Sequence, residues 1–234
     1  DTLLNFNRDI KVKSILPDLI GKSVEVTQFQ FPQIHRVICE LCEQFAVPVP
    51  RAFVVESIYY DVNAEGYEEP WLIITAKSVY DLEPDELKFL IARQIAHIQC
   101  NHLKYETLME QTLEAMEFIK HTPAAILNAV KVIDATQATF KLVAAKWSRI
   151  SEYTADAGAF LACNKNLITA SRAILTTILN NRNLVNEIHI GEYIKQVKTL
   201  NALDDVSANF SKLDEIIPYG PFRLRELIRF SSLN

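Results

Sequence analysis

Three residues in the segment PDELKFLIARQIAHIQCNH (84–102) have types and spacing that could do chemistry. On a helix, Arg93 and His97 are four residues apart and project from one face, with Gln94 beside them. A helical H-E-x-x-H places two imidazoles around a zinc ion, and its glutamate is the general base for the metal-bound water. Here the same positions read R-Q-I-A-H, so a cation replaces the first ligand and an amide replaces the base.

A second segment, SRISEYTADAGAFLA (148–162), carries two carboxylates at helical spacing. Glu152 and Asp156 are four residues apart, so they lie on one helix face. In zinc sites of this kind a glutamate from a later helix is the usual third ligand, and a nearby carboxylate orients a ligand histidine. The alternative is a solvated acidic face, but the alanines and Phe160 around these residues favour burial of part of the helix.

The substitutions predict a poor metal site. With only His97 and Glu152 as residual ligands, a site that needs three protein ligands and water is incomplete. The Arg93 guanidinium repels a cation and cannot be deprotonated, so we expect it to pair with Glu152 or Asp156 and take the metal's structural place. Gln94 cannot accept a proton from water at a useful rate, so hydrolysis would lack its base.

Two alternatives keep a metal-dependent site. His97, Cys100 and Glu152 would supply three ligands, although Cys100 would reach the site only if the helix were rotated. An active hydrolase with an unusual site could also use His102. The simpler interpretation of Cys100 is a thiol packed in the core.

The elements that must position these residues are mostly helical. Helical spacing of apolar residues predicts helices at 32–45, 84–119, 123–147, 148–163, 166–181, 184–201 and 222–232. Before most of them, the apolar runs AFVVES (52–57) and WLIITA (71–76) flank a polar turn region and predict a hairpin or meander. The sequence therefore predicts an α+β fold, mostly helical, with a small antiparallel-type sheet near the N-terminal third.

The organisation of the chain is predicted to be an N-terminal arm, residues 1–30, followed by one domain, residues 31–234. The 234 residues, 49% of them hydrophobic, can bury one large core. The net charge of −5 gives no reason to expect nucleic acid or an anionic membrane as partner. The first residue is not methionine, which is typical of a piece of a longer chain.

The segments that would direct the chain to a membrane or an oxidising compartment are not evident. The N-terminal stretch has no apolar signal region, and no apolar run approaches the ~20 residues of a membrane span. Four cysteines are too few for a disulfide framework, and Cys39 and Cys42 fall in a helical segment, where we interpret them as packed thiols. We therefore expect a soluble, cytoplasmic protein without a membrane span.

Several short motifs, in order, resemble one peptidase family. FAVPVPRAFVVES (45–57) resembles the family's helix, V-P-x-P turn and strand, and LEPDEL (82–87) resembles the phrase before its zinc helix. His97 and His102 match the extended histidine motif, and PYGPFRLREL (218–227) resembles a late segment, with Pro221 and Arg225 kept. The chain therefore resembles the HtpX-type and CAAX prenyl endopeptidases, the forty-eighth family of metallopeptidases.

This resemblance implies a zincin-like fold, with zinc as the metal if any is bound. It also implies His97 and Glu152 as residual ligands and Asp156 as the carboxylate beside them. The departures are the residues noted above at 93 and 94, together with Tyr219 in place of a late histidine.

The prediction that follows is a metallopeptidase-like domain without catalytic activity, a pseudopeptidase. It would bind a peptide, a protein or another domain of a longer chain, through the sheet edge that relatives use for extended substrate. The alternatives are an active zinc endopeptidase with an atypical metal site, and a purely structural module whose cleft is filled by its own side chains.

Overall fold

The computed structural model of the chain describes residues 16–120, 127–202 and 218–233. The strands are β1 (Val24–Glu25), β2 (Arg51–Val55), β3 (Val62–Glu65) and β4 (Trp71–Thr75). The helices are α1 (Pro32–Phe45), α2 (Ala76–Asp81), α3 (Pro84–Gln99), α4 (His102–Lys120), α5 (Leu127–Ala162), α6 (Leu167–Leu179), α7 (Arg182–Val185), α8 (Ile190–Ala202) and α9 (Gly220–Ser231). Residues 16–22 are also helical. The prediction of a mostly helical fold with a small early sheet is confirmed.

The sheet has the strand order β1-β2-β4-β3 and is mixed. β2 and β4 are parallel, with Phe53 opposite Ile73, whereas β3 is antiparallel to β4, with Val62 opposite Ile74. The prediction of a hairpin or meander from residues 52–57 and 71–76, in an antiparallel-type sheet, is therefore wrong. The polar connection between the two runs contains β3, so the chain reverses direction twice before β4 and the two apolar strands run parallel.

The helix α3 carries Arg93, Gln94 and His97 through the centre of the domain. It begins with a capping box between Glu83 and Glu86 and has proline in the first turn, and its start at residue 84 is as predicted. It packs against α5, α6, α1 and β3, which bury nearly all of its second half. The residues around the candidate site are therefore held on a rigid, fully packed element.

The break between α3 and α4 was not expected. The predicted helix 84–119 is two helices, because Asn101 adopts the left-handed conformation with φ 55°. Asparagine tolerates this conformation better than most residues, and it ends a helix in the manner of a C-terminal glycine. The break places His102 at the start of a new helix that lines the other side of a cleft described below.

The helix α5 is continuous where two helices, 123–147 and 148–163, were predicted. Its 36 residues contain no proline, and the glycine in it, Gly158, lies near its C-terminal end. A Cβ atom at this position would lie 3.1 Å from Cβ of Ala96, so the missing side chain lets α5 approach α3 closely. This approach sets Glu152 and Asp156 against Arg93. Residues 123–126 lie outside the described residues.

The four cysteines are free thiols. Cys42 and Cys163 are buried, and Cys39 lies with its Sγ atom 3.8 Å from Nδ1 of His35, one helical turn away. Burial raises the pKa of the Cys42 thiol to about 11, so it packs as a neutral side chain. Within the residues described above, no helix is long and apolar enough to cross a membrane.

Candidate functional site

The centre of the site is an arginine held between two carboxylates. Arg93 of α3 forms an ion pair through Nη2 with Glu152 Oε2, and its Nε atom lies 3.2 Å from Asp156 Oδ1. Both carboxylates belong to α5, one turn apart, and both are buried. The predicted pairing of Arg93 with Glu152 or Asp156 is confirmed, and it involves both residues.

A second arginine completes this cluster. Arg223 of α9 forms two hydrogen bonds to Asp156, from Nε to Oδ2 at 2.9 Å and from Nη2 to Oδ1 at 2.7 Å. Burial alone would lower the pKa of Arg223, but the Asp156 carboxylate outweighs it and raises that pKa. Two cations therefore face two carboxylates, and the buried charges balance.

The histidine that survives from the motif is neutral. His97 is 4% exposed, and burial, followed by the charge of Arg93, lowers its pKa to about 2. Its Nδ1 atom lies 3.1 Å from Nδ1 of His102, and its Nε2 atom lies 3.5 Å from Glu152 Oε1. A neutral imidazole has one N–H, and the tautomer decides which of the two Nδ1 atoms donates in the contact between His97 and His102.

A cleft of about 610 Å³ opens beside this cluster. Its lining comes from β3 and the loop before it, from α3, α4, α5 and α6, and from Arg223. Gln94 lines the cleft and is 5% exposed, at the position where a peptidase would carry its base. The volume falls within the range of protein sites for small ligands and peptide side chains.

The helix α4 contributes an acidic face to this cleft. Leu103, Glu106 and Glu110 are three and four residues apart and line it together. Burial, and then the neighbouring carboxylates Glu152 and Glu110, raise the pKa of Glu106 to about 7, against the opposing charge of Arg93. The sequence analysis missed Glu106, because the spacing was interpreted as part of one long helix that included the motif.

The edge of the sheet borders the same cleft. Thr75 N donates to Asp61 O, so Asp61, Asn63 and Glu65 direct their backbone groups towards β4. By alternation, Val62 and Ala64 direct theirs away from the sheet, and both residues line the cleft. Within the described residues β3 has no further strand beside it. The cleft is therefore bordered by an open strand edge.

Comparison with known proteins places this architecture in a family. The profile of Peptidase family M48 matches residues 28–208. The chain belongs to this family.

Two relatives are similar over shorter stretches. A protease HtpX homolog of Helicobacter pylori, strain Shi470, is 26% identical over 182 residues, which cover 70% of this chain and 58% of that protein. The homolog from strain J99 is 31% identical over 75 residues, which cover 31% of this chain and 24% of that protein. The chain therefore spans less than two thirds of the length of these relatives. No solved structure matches it significantly.

Family M48 implies zinc, but the residues of this chain do not fit that ion. Among the described residues, no three histidine, cysteine, aspartate or glutamate side chains are grouped so as to hold a metal. The guanidinium of Arg93 lies against Glu152, and its charge opposes a cation there. Cys100 ends α3 and is not among the residues that line the cleft, so the alternative set with His97 is not assembled.

In the C-terminal segment that resembles the M48 pattern, the arginine that reaches the site is not the one that was predicted. Arg225, which matches the family pattern by position, forms an ion pair with the adjacent Glu226. Arg223, which the sequence analysis did not name, reaches the site instead. The sequence signal that could have identified Arg223 is its position next to Leu224 on the apolar face of α9. A charged side chain on a buried face requires a partner of opposite charge. Tyr219 lies before α9 and does not line the cleft.

Proposed function

We propose that this chain is a peptide-binding member of the M48 family that does not cut by the zinc mechanism. The observation that carries the proposal is the position of the Arg93 guanidinium between Glu152 and Asp156. It supplies positive charge to the carboxylates that a metal ion would otherwise neutralise. A cation bound beside His97 would have to displace this guanidinium and break two buried ion pairs.

The hydrolytic step lacks its base even if a metal were to enter. Gln94 is a neutral amide, and it is the side chain that α3 presents to the cleft at the base position. A general base must accept a proton from water in the transition state, and an amide does so only at very low pH. Two independent substitutions therefore oppose catalysis, one at the metal and one at the proton transfer.

Binding of an extended peptide needs neither a zinc ion nor a general base. A peptide that adds to β3 would hydrogen-bond with the outward-facing backbone groups of Val62 and Ala64, which requires no metal. Its side chains would then alternate into and out of the cleft of about 610 Å³. Backbone pairing supplies affinity in this mode, and the cleft supplies selectivity.

The first test is the zinc content per chain, measured by elemental analysis after zinc is offered to protein purified without chelator or affinity tag. Wild type is expected to retain almost none. The double variant R93H/Q94E, which restores the motif, is expected to retain about one equivalent, and it serves as the positive control. One equivalent in the wild type, lost in H97A, would refute the proposal and return zinc proteolysis as the leading function.

The second test is peptide capture without cleavage. The full chain is incubated with an array of extended heptapeptides, and the bound and free peptides are analysed by mass spectrometry. Intact bound peptides are expected, and N-methylation of alternate backbone nitrogens should abolish their binding because it blocks pairing with β3. Cleaved products that disappear in H97A would contradict the proposal.

A further inference from the structure

We infer that the cleft selects peptides that carry an arginine or lysine, and that Glu106 is the residue that receives this side chain. The inference rests on the proposed function, because it concerns which peptides the same cleft accepts. It assigns a specificity role to a residue outside the family motif, on the helix that faces the strand edge.

When the residues that form ion pairs with each other are set aside, the cleft lining has more acidic than basic side chains. Its two arginines, Arg93 and Arg223, both form ion pairs with the carboxylates of α5 described above. Beyond those carboxylates, the lining still contains Asp61 and Glu106. The space that a ligand would enter is therefore surrounded by excess negative charge, which attracts a cationic side chain and opposes an acidic one.

Glu106 is the acidic residue best placed to contact a ligand. In the described part of the chain no lysine or arginine lies within ion-pair distance of it, whereas Asp61 accepts a hydrogen bond of 2.6 Å from Asn63. Burial is the main cause that raises the pKa of Glu106, so its ionised form is poorly solvated in the empty cleft. A desolvated carboxylate without a counter-ion is unfavourable, and a bound guanidinium or ammonium would relieve this cost.

A second and independent observation indicates a ligand in the cleft. His97 is 4% exposed and lines the same cleft, yet its Nε2 atom has no hydrogen-bond partner. Its distance of 3.5 Å to Glu152 Oε1 is too long for a well-formed bond. Buried polar atoms are almost always satisfied in proteins, so this orphan atom beside an open strand edge points to a polar group supplied by something bound.

The occupant that agrees with all of these features is an extended peptide. Its backbone would pair with Ala64 and Val62 at the edge of the sheet, and one side chain would project across the cleft towards α4. A long basic side chain fits this span, because its aliphatic part can lie along Leu103 while its charged end reaches Glu106.

The experiment uses the full chain and an array of heptapeptides in which each position is varied over all amino acid types. Arginine or lysine is expected to dominate one position of the bound peptides. The selected peptide is then compared with its citrulline counterpart, which has the same shape without the charge. The citrulline peptide should bind about tenfold more weakly, the loss typical of one charge-assisted contact.

Variants of Glu106 show whether this residue is the cause. In E106Q the arginine and citrulline peptides should bind equally, and in E106K the array should turn towards aspartate or glutamate. E43Q is the matched control, because Glu43 is an exposed carboxylate on α1 outside the cleft and its loss changes the net charge equally. The arginine preference should persist in E43Q.

The outcomes distinguish this inference from the proposed function. Bound peptides without a basic preference, or a preference that survives in E106Q, would overturn the role of Glu106 and leave peptide binding intact. An array that retains no peptide at all would overturn the proposed function, and the inference would fall with it.

Discussion

Two arginine–carboxylate clusters lie at opposite ends of α3, and they differ in how completely their polar atoms are satisfied. At the start of the helix, Glu86 accepts from Arg172 Nε at 2.9 Å and from Arg182 Nε at 3.2 Å. Its side chain also closes the capping box with Glu83. No atom of these four residues is among the buried orphans of the described chain. This cluster ties α3 to α6 and α7 and has an evident structural purpose.

The cluster in the second half of α3 has the same ingredients but leaves atoms unsatisfied. Nε of Arg93 and Nε2 of His97 are buried and make no well-formed hydrogen bond, although they lie 3.2 Å and 3.5 Å from carboxylate oxygens, and both residues line the cleft. Its arginines, Arg93 and Arg223, are also less exposed than the arginines that bind Glu86. Under our proposal, a bound peptide would supply the polar group that His97 lacks.

The largest expected effect is on stability when the doubly paired carboxylate is removed. D156A leaves Arg223 buried without its partner and should lower the free energy of unfolding by about 3–5 kcal/mol. R172A, at the partly exposed cluster, should cost no more than about 1 kcal/mol. Urea unfolding of both variants measures the difference, and equal losses would show that the two clusters contribute alike.

Replacement of Arg93 should come next in size. R93A leaves the carboxylates of α5 with one cation fewer and should cost about 2–3 kcal/mol. In an E152Q background the same replacement should cost clearly less, because the negative charge that Arg93 neutralises at residue 152 is absent. A double-mutant cycle by urea unfolding measures this coupling. An unchanged melting temperature in R93A would remove the argument that Arg93 stands in for a metal.

The second half of α3, which carries His97, should make the stability of the protein depend on pH. The first half carries no histidine. The pKa of His97 is lowered to about 2 in the folded protein, from 6.5 for an unperturbed histidine. Below pH 6.5 the unfolded chain therefore binds a proton at this histidine, and the folded chain does not. The contribution of His97 to stability falls as the pH drops. The slope from His97 alone approaches about 1.4 kcal/mol per pH unit.

Thermal unfolding between pH 7.5 and 5 tests this expectation by comparing wild type with H97Q. The variant should show a shallower loss, while part of the slope remains because the pKa of His102 is lowered by burial as well. Equal slopes would mean that His97 is protonated, or solvated, in the folded protein.

The smallest effect is expected at Glu106, and its sign matters more than its size. Because the pKa of Glu106 is raised from 4.5 to about 7 in the folded state, its contribution to stability is lost as the pH rises from about 4.5 to about 7 and stays lost above that. E106Q should therefore melt at the same temperature as the wild type or slightly higher, and E43Q should not change. A clear loss of stability in E106Q would identify a structural residue and weaken its assignment as a specificity residue.

Sequence reasoning located the site because its determinants are local and periodic. The four-residue spacings of Arg93 with His97 and of Glu152 with Asp156 fix which side chains share a helix face, whatever the rest of the fold does. The zinc-site pattern, in which a later carboxylate faces the motif helix, then predicted that Arg93 would pair with Glu152 or Asp156. The capping signals at Glu83 and Pro84 are equally local, and the start of α3 was predicted correctly.

The parts that the sequence did not predict depend on contacts between distant segments. The parallel pairing of β2 with β4 follows from the insertion of β3 at the sheet edge, and no pattern within either apolar run encodes it. Arg223 reaches Asp156 across 67 positions of chain, so its role was visible only as a charge on an apolar face. Glu106 became part of the cleft only because Asn101 ends α3.

The guanidinium between Glu152 and Asp156 also has a consequence for how such a protein can change over generations. Replacement of Arg93 by histidine alone would leave Glu152 without its arginine and Asp156 with Arg223 only, and replacement of Gln94 by glutamate alone would add a third acid to that space. Each single replacement would therefore cost stability on its own. The double replacement would avoid that cost only if a bound zinc ion supplied the charge that Arg93 now supplies, so under our proposal the two positions would have to change together.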